Sequence, residues 1–216
     1  MTDRLKKIFN LLSNCEVFAD IGCDHGYVAK EMLVSGKCKR VIVSDISAKC
    51  LKKAEQLLFN FIQDGRAESV ISDGFEKVKN CDQALIAGMG GEEIVSIITR
   101  AKELSVLPKR LVLQPMKNCD KVRLCALKVG YKIDYDKVFK SGDKYYNLIV
   151  LTFGSDSLTD EEIEFGRNNV QELPQDFVQM IKDSVHILTA FRDADGVDEK
   201  VKNQLDEKIK KLKKYV

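Results

Sequence analysis

The run Glu16-Val-Phe-Ala-Asp-Ile-Gly-Cys-Asp-His-Gly-Tyr27 is a short apolar segment that enters a glycine turn flanked by two carboxylates. A strand, a glycine loop and a following helix are how an open α/β sheet turns backbone N–H groups toward a nucleotide-like ligand. The charges narrow the choice of ligand. A dinucleotide fingerprint needs a second glycine two residues after the first, so that the chain can approach a pyrophosphate. After Gly22 that place is held by Asp24. With Asp20 before the turn, the loop carries two carboxylates, which repel phosphate and attract a cation. S-adenosylmethionine meets this demand, having an ammonium, a sulfonium and an adenosine but no phosphate. Asp20, Gly22, Asp24 and Gly26 are therefore candidate cofactor contacts, and the chemistry they predict is methyl transfer.

Such a site needs a second acid about one βαβ unit downstream to hold the ribose hydroxyls. Asp45, followed by Ile46, ends the second predicted strand. An acid in that position is commonly a helix cap, but its pairing with Asp20-Ile-Gly22 favours a ligand contact. Ser72-Asp73-Gly74 follows the third strand, and Asp73 is placed to accept the adenine N6 hydrogens; an ordinary Asp-Gly turn is the simpler alternative. Ala87-Gly-Met-Gly-Gly91 follows the fourth strand, at the sheet edge where open α/β sheets bind ligands. Gly88, Met89 and Gly90 let the backbone approach a reacting group, and Gly88 also adjoins the cofactor. Gln114-Pro115 ends the fifth strand and is expected to form the opposite wall.

These residues must be carried by alternating elements. An amphipathic helix is expected over residues 3–13, with Leu5, Ile8, Phe9 and Leu12 on one face. Strands are predicted at 17–21, 40–44, 69–71, 83–87 and 110–113. Helices are predicted at 27–35, from Ser47 to about Gln63, at 92–103 and at 120–129. Two last strands, 131–139 and 145–153, flank the turn Ser141-Gly-Asp143. Alternation of this kind implies a parallel sheet covered on both faces, with an antiparallel hairpin at one edge. The fold class is thus α/β: a Rossmann-like, seven-stranded class I methyltransferase sheet. From Gly154 strand-type residues give way to two helical stripes, Phe177 to Phe191 and Val201 to Val216, broken at Ala194-Asp-Gly196. These predict a coiled-coil-like α-helical hairpin, so residues 1–153 form a cofactor-binding domain and 154–216 a C-terminal helical one.

With 216 residues, 44% hydrophobic and 31% charged, the chain has the composition of a globular protein. No apolar run reaches the ~20 residues that span a bilayer, and the N-terminus has no signal-peptide core. Seven cysteines without a Cys-x-x-Cys pair, and only two histidines, predict no metal site and a reducing, cytoplasmic setting. A net charge of +2 does not announce nucleic-acid binding. Arg4, Lys6 and Lys7 cluster at one end, however, and five lysines including Lys210 and Lys211 lie in residues 208–216 at the other. On charge alone, solvated faces and phosphate contacts are equally good readings.

Absences narrow the acceptor. A cytosine-C5 enzyme needs a cysteine nucleophile, commonly as Pro-Cys, whereas Pro115 precedes Met116. Exocyclic-amine enzymes typically carry Asp/Asn-Pro-Pro-Tyr/Phe after the fourth strand, where this chain has Ala-Gly-Met-Gly-Gly. A ring nitrogen or a small-molecule acceptor remains.

The segments Ala19-Asp-Ile-Gly-Cys-Asp-His-Gly-Tyr27, Asp73-Gly-Phe75, Ile86-Ala-Gly-Met-Gly-Gly91, Leu113-Gln-Pro115, Arg123-Leu124, Lys144-Tyr-Tyr146 and Leu158-Thr-Asp-Glu-Glu162 together resemble the bacterial tRNA (adenine(22)-N1)-methyltransferase family. Cys23, Met116 and Asn147 depart from that family's usual serine, asparagine and glutamate. The resemblance implies S-adenosylmethionine as cofactor, tRNA as partner and 1-methyladenosine as product; a monomer is expected rather than a stable oligomer. Just past the cofactor loop, His25 and Tyr27 are placed to stack on or bond to the base, with a loop hydrogen bond for His25 and helix-start packing for Tyr27 as equal alternatives, and Arg4, Lys6, Lys7, Arg123, Tyr146, Lys210 and Lys211 are expected to meet the RNA. Two other readings stand beside it. One is a methyltransferase for a small molecule or protein, with the hairpin as lid or dimer interface. The other is a non-catalytic module, against which the set Asp20, Asp24, Asp45 and Asp73 speaks.

Overall fold

The computed structural model describes residues 1–216. Helix α1 (Asp3–Leu11) leads into β1 (Cys15–Ile21), α2 (Tyr27–Val34) and β2 (Cys38–Asp45). There follow α3 (Ala48–Leu57), α4 (Phe59–Gln63), β3 (Ala67–Ile71), β4 (Gln83–Met89) and α5 (Gly91–Glu103). The sheet is completed by β5 (Arg110–Pro115), β6 (Tyr131–Ser141) and β7 (Lys144–Phe153), with α6 (Cys119–Val129) after β5. The strand order is β3-β2-β1-β4-β5-β7-β6, parallel from β3 to β5 and antiparallel at β7 and β6. This is the seven-stranded arrangement expected from the alternation of elements.

Because side chains alternate across a strand, each strand feeds two cores. Ile21, Ile86, Leu111 and Leu113 face α5 and α6, meeting Ile94, Ile98, Val122 and Ala126. Phe18, Val41, Val43, Leu85 and Val112 face the other way, onto α1, α2 and α3 through Ile8, Leu12, Val28, Met32 and Leu51. The order reverses between β1 and β4, and the ligand crevice of such sheets lies at that switch.

The helix expected from Ser47 to Gln63 is two helices. Leu58 leaves helical geometry at φ −102° and ψ 8° and is buried. The turn brings Phe61 and Ile62 against the core beneath β3 and lets the Phe61 carbonyl accept from the Arg66 amide at 2.8 Å. Packing at the sheet edge overrides a continuous helical pattern.

Residues 154–216 are helical: α7 (Asp160–Phe165), α8 (Arg167–Glu172), α9 (Gln175–Arg192) and α10 (Glu199–Leu212), then a short 3-10 turn at Lys213–Tyr215. Helix α7 opens on a reciprocal Thr159–Glu162 capping box. Helices α9 and α10 pack together, with Phe177, Ile181, Leu212 and Tyr215 buried around Val138 of β6. Toward the tip of that pair, Ile187 and Phe191 are exposed.

A second tie runs through β6, the edge strand. Its outward N–H groups are met by side-chain oxygens from the C-terminal region. Ile133 donates to Asp156 at 3.0 Å, Asp136 to Asn168 at 2.8 Å, Val138 to Asn169 at 2.9 Å and Lys140 to Asp176 at 3.0 Å. An exposed sheet edge is a template for aggregation, and here four side chains cover it.

Arg123, expected to meet RNA, is 1% exposed and cannot. Its guanidinium makes a fork on Asp136 at 2.6 and 2.9 Å and also donates to the carbonyls of Ile163 and Glu164. Gly166 makes room for this. A Cβ there would stand 2.7 Å from Asp136 Oδ1 and 2.9 Å from Arg123 Nη2. Arg123 thus pins α7 to the sheet; a motif match fixes the residue type but not the face on which it lies.

Candidate active site

The C-terminal ends of β1, β4 and β5 converge with the start of β7 and the N-terminal half of α1. The ends of β1 and β4, the loop after β1, the start of α2 and the N-terminal end of α1 border a cavity of about 230 Å³ lined by Thr2, Arg4, Leu5, Asp20, Gly22, Cys23, Asp24, His25, Tyr27, Val28, Leu85 and Ala87. The predicted cofactor loop and helix α1 therefore share one cleft.

Asp20 is 6% exposed, and no cationic side chain pairs with it. Burial, with a smaller push from Asp45 and against a bond from the Ala29 amide, raises its pKa from 3.8 to about 7. A buried carboxylate without a cation partner at the wall of a cavity fits a cationic ligand group. Next to it, Gly22 has φ +71°, and a Cβ there would lie 2.0 Å from the Met89 methyl. Met89 thereby links the cofactor loop to the glycine turn after β4. Gly26 (φ +69°) sits against Ala54 of α3.

Asp24 points to the rim. Its carboxylate takes His25 Nδ1 at 2.6 Å and Lys53 Nζ at 3.1 Å. Burial alone would raise its pKa, but hydrogen bonds from Lys53 and His25 outweigh it and hold the group below the usual carboxylate range. Lys53 was not foreseen; it stands on the outer face of α3, where a lysine ordinarily only solvates a helix. The rings of His25 and Tyr27 stack at 5.4 Å with 9° between planes, and Tyr27 is half exposed. Together they present a flat face to solvent.

Asp45 accepts from the Ser47 amide at 2.8 Å and from the Asp24 amide at 3.4 Å. It therefore both caps the turn before α3 and braces the cofactor loop. Ile46 beside it is 74% exposed, an apolar surface for a flat ring. Ser72, Asp73 and Gly74 stand apart from the cavity lining. Ser72 Oγ donates to the Gly74 carbonyl at 3.0 Å, and Asp73 is paired at 2.7 Å with Arg100 of α5.

Beside the cavity but outside its lining, Gly88 (φ +80°) forms a bulge between β4 and β5. The Met89 carbonyl accepts from Met116, and the Lys117 carbonyl accepts from Gly91, both at 2.9 Å. Gly91 is the tightest glycine of this turn: a Cβ there would lie 2.4 Å from the Asn118 carbonyl oxygen. Gly90 precedes it as the cap of α5. Pro115 is buried against Met89. Gln114, also buried, accepts from Arg4 Nη1 at 2.6 Å. Arg4 is thus engaged inside the cleft instead of lying on an outer basic face.

Of the other basic candidates, Lys6 is exposed, and Lys7 lies over the Phe139 ring at 4.9 Å. Lys210 is exposed without a paired acid, whereas Lys211 is paired with Glu164. Tyr146 stacks on Phe139 at 5.6 Å and faces Arg4. The sequence predicted α1 as a helix laid on the domain, but not that Thr2, Arg4 and Leu5 close the cleft. The amphipathic pattern gives the buried face and leaves the docking register open.

No group of three or more His, Cys, Asp or Glu is placed to hold a metal ion. All seven cysteines are free. Burial first, then Asp20 and Asp45, push the Cys23 thiol upward, an environment that disfavours a nucleophilic thiolate at the one cysteine lining the cavity. No helix is long and apolar enough to cross a membrane.

Residues 1–149 match the model of a methyltransferase-domain family. The chain is 26% identical over 156 residues to the tRNA (adenine(22)-N(1))-methyltransferase of Bacillus subtilis, covering 71% of this chain and 66% of that one. A Mycoplasma pneumoniae relative is 34% identical over 129 residues, 57% of this chain and 58% of its own. The match thus spans roughly three fifths to two thirds of these curated relatives. Among solved structures, Mycoplasma capricolum TrmK in complex with S-adenosylhomocysteine superposes with a TM-score of 0.84 at 25% identity, covering 100% of this chain and 97% of that one. Bacillus subtilis TrmK gives a TM-score of 0.84 at 22% identity, covering 100% and 98%.

Proposed function

The chain belongs to the methyltransferase-domain family, and from that premise we propose that it methylates N1 of adenine 22 in tRNA with S-adenosylmethionine. Asp20 carries the cofactor half of this reading, as a buried carboxylate with no cation beside it in a cleft at the sheet's switch point. Asp20 holds the ammonium of the methionine moiety, Asp45 takes the ribose hydroxyls, and Ile46 covers one face of the adenine. When bound, the cofactor supplies an electrophilic methyl on its sulfonium. The acceptor half is supported by relatives whose names specify adenine 22 of tRNA and by the absence of any machinery for a harder acceptor.

Adenine N1 has an in-plane lone pair and needs no base to become nucleophilic. The protein's contribution is then positioning and accommodation of a cationic product. N1 lies on the Watson–Crick edge, so the base must leave its stack. The stacked His25–Tyr27 face at the rim is a surface on which it, or its neighbour, can rest. Residues 1–153 carry the chemistry and 154–216 present helices to the RNA, in a cytoplasmic protein working as a monomer.

Incubation with labelled cofactor and a tRNA transcript, followed by nucleoside digestion, is expected to give 1-methyladenosine. An adenine-to-guanine change at position 22 is expected to abolish it. Methyl incorporation that survives that change would overturn the assigned position, and none into any tRNA would overturn the substrate class.

A further inference from the structure

Gln114 and Arg4 form a contact whose chemistry resembles the expected substrate. A guanidinium only donates hydrogen bonds, so the Gln114 atom facing Arg4 Nη1 at 2.6 Å must be the amide oxygen. The amide nitrogen is turned the other way, toward the Pro115 carbonyl at 3.2 Å and Met116 Sδ at 3.3 Å. The orientation of this fully buried side chain is therefore fixed from both ends. The Arg4 guanidinium carbon lies 5.7 Å from the centre of the Tyr146 ring. Its Nη1 is 3.7 Å from where a Gly88 Cβ would stand. A planar N–C–N cation thus occupies a niche made of a carbonyl acceptor, an aromatic ring and a bare glycine. Adenine's N1–C6–N6 edge is a planar amidine of the same shape, and methylation at N1 gives it the same charge.

We propose that Gln114 is the specificity-determining residue of the acceptor site: its Oε1 accepts the N6–H of the target adenine, and the Arg4 side chain holds that place until the base enters. The inference rests on the adenine reading above. Guanine would set its O6 against the same oxygen, two acceptors face to face, so the niche rejects it. A base lacking the amino group would leave a buried acceptor unpaired, the kind of loss that lets an enzyme discriminate strongly.

The test compares kcat/KM on tRNA transcripts carrying adenine or unsubstituted purine at position 22. Wild type, Gln114→Leu, Gln114→Glu and Arg4→Ala are measured side by side. The two bases differ in intrinsic N1 reactivity, but that difference is common to all four proteins and cancels when their preferences are compared. Gln114→Leu is expected to shrink the adenine preference about tenfold or more. Gln114→Glu, which keeps an oxygen acceptor in place, should hold it within a few-fold, as should Arg4→Ala. S-adenosylhomocysteine affinity and Tm report whether each variant is folded, and Gln114→Met replaces the leucine variant if that one is not. An unchanged preference in the apolar Gln114 variants overturns the proposal, as does a preference lost in Arg4→Ala. No methylation of the adenine transcript by wild type would instead overturn the substrate reading, and this inference with it.

Discussion

Asp20 joins burial, charge and ligand choice in a single side chain. Its pKa is raised to about 7 by burial, so below about pH 7 the protonated form is favoured in the unliganded fold. A carboxyl whose folded pKa exceeds its unfolded value contributes stability fully below about pH 4, and that contribution is lost as pH rises through about 7. A bound ammonium reverses the preference and pulls the carboxyl to its ionised form. Binding of S-adenosylhomocysteine at about pH 6 is therefore expected to release roughly one proton per site, and close to none at about pH 8. Affinity should rise over the same interval. Asp20→Asn should bind more weakly, without that proton release and without that rise. Calorimetry in two buffers of different ionisation enthalpy measures this directly. Equal proton release in wild type and Asp20→Asn would show that the ammonium lies elsewhere.

The same residue shows how far residue-level reading of a sequence extends. Asp20 and Gly22 were identifiable because a strand, a turn and a carboxylate adjoin in the chain. Arg4 and Gln114 are 110 positions apart, and no local pattern pairs them. Arg123 shows the opposite failure, because a matching motif invites a substrate role while the long side chain is buried in a fork with Asp136.

At the level of elements, the turn from β4 to α5 is held by backbone contact with the loop after β5. A Cβ on Gly91 would lie 2.4 and 2.5 Å from the carbonyl oxygens of Asn118 and Lys117. Backbone cannot swing aside as a side chain can. Gly91→Ala must therefore displace residues 116–118 beside Gln114, at a cost of about 1–3 kcal/mol, a Tm decrease of roughly 3–10 °C. Methylation should fall more than cofactor affinity, because the displaced loop adjoins Gln114, the proposed acceptor contact. Gly22→Ala should behave differently. The Met89 methyl can move away, but φ +71° costs about 1–2 kcal/mol, and cofactor affinity carries the loss. Identical profiles for the two variants, by melting and calorimetry, would refute this division of roles between the two turns. The element order was legible because strand and helix periods differ so plainly. The break at Leu58 was not, since it answers to packing beneath β3 that no helical pattern records.

Across the whole molecule, charge and architecture divide differently. Residues 1–153 hold 25 Lys and Arg against 19 Asp and Glu, and residues 154–216 hold 10 against 14. The helical region is the acidic part, and two of its C-terminal lysines, Lys211 and Lys214, are paired with Glu164 and Glu161. If the substrate is tRNA as proposed, this charge division assigns long-range attraction of phosphate to the sheet domain. The helical region protects the sheet. Asp156, Asn168, Asn169 and Asp176 satisfy four N–H groups of edge strand β6, while the Arg123–Asp136 pair is covered by the α7–α8 junction. Removing residues 155–216 would leave an unpaired edge and strip the cover from a buried ion pair. The truncated chain is therefore expected to associate into large particles rather than persist as a compact cofactor-binding domain. Replacing only residues 187–201, the exposed tip of the α9–α10 pair, by a short glycine linker leaves those contacts in place. That variant should remain monodisperse and bind S-adenosylhomocysteine as wild type does, and any loss of tRNA affinity in it can be assigned to the tip. Light scattering and calorimetry on the two variants separate the roles. A monodisperse 1–154 fragment with full cofactor affinity would show that the helical region serves the RNA alone.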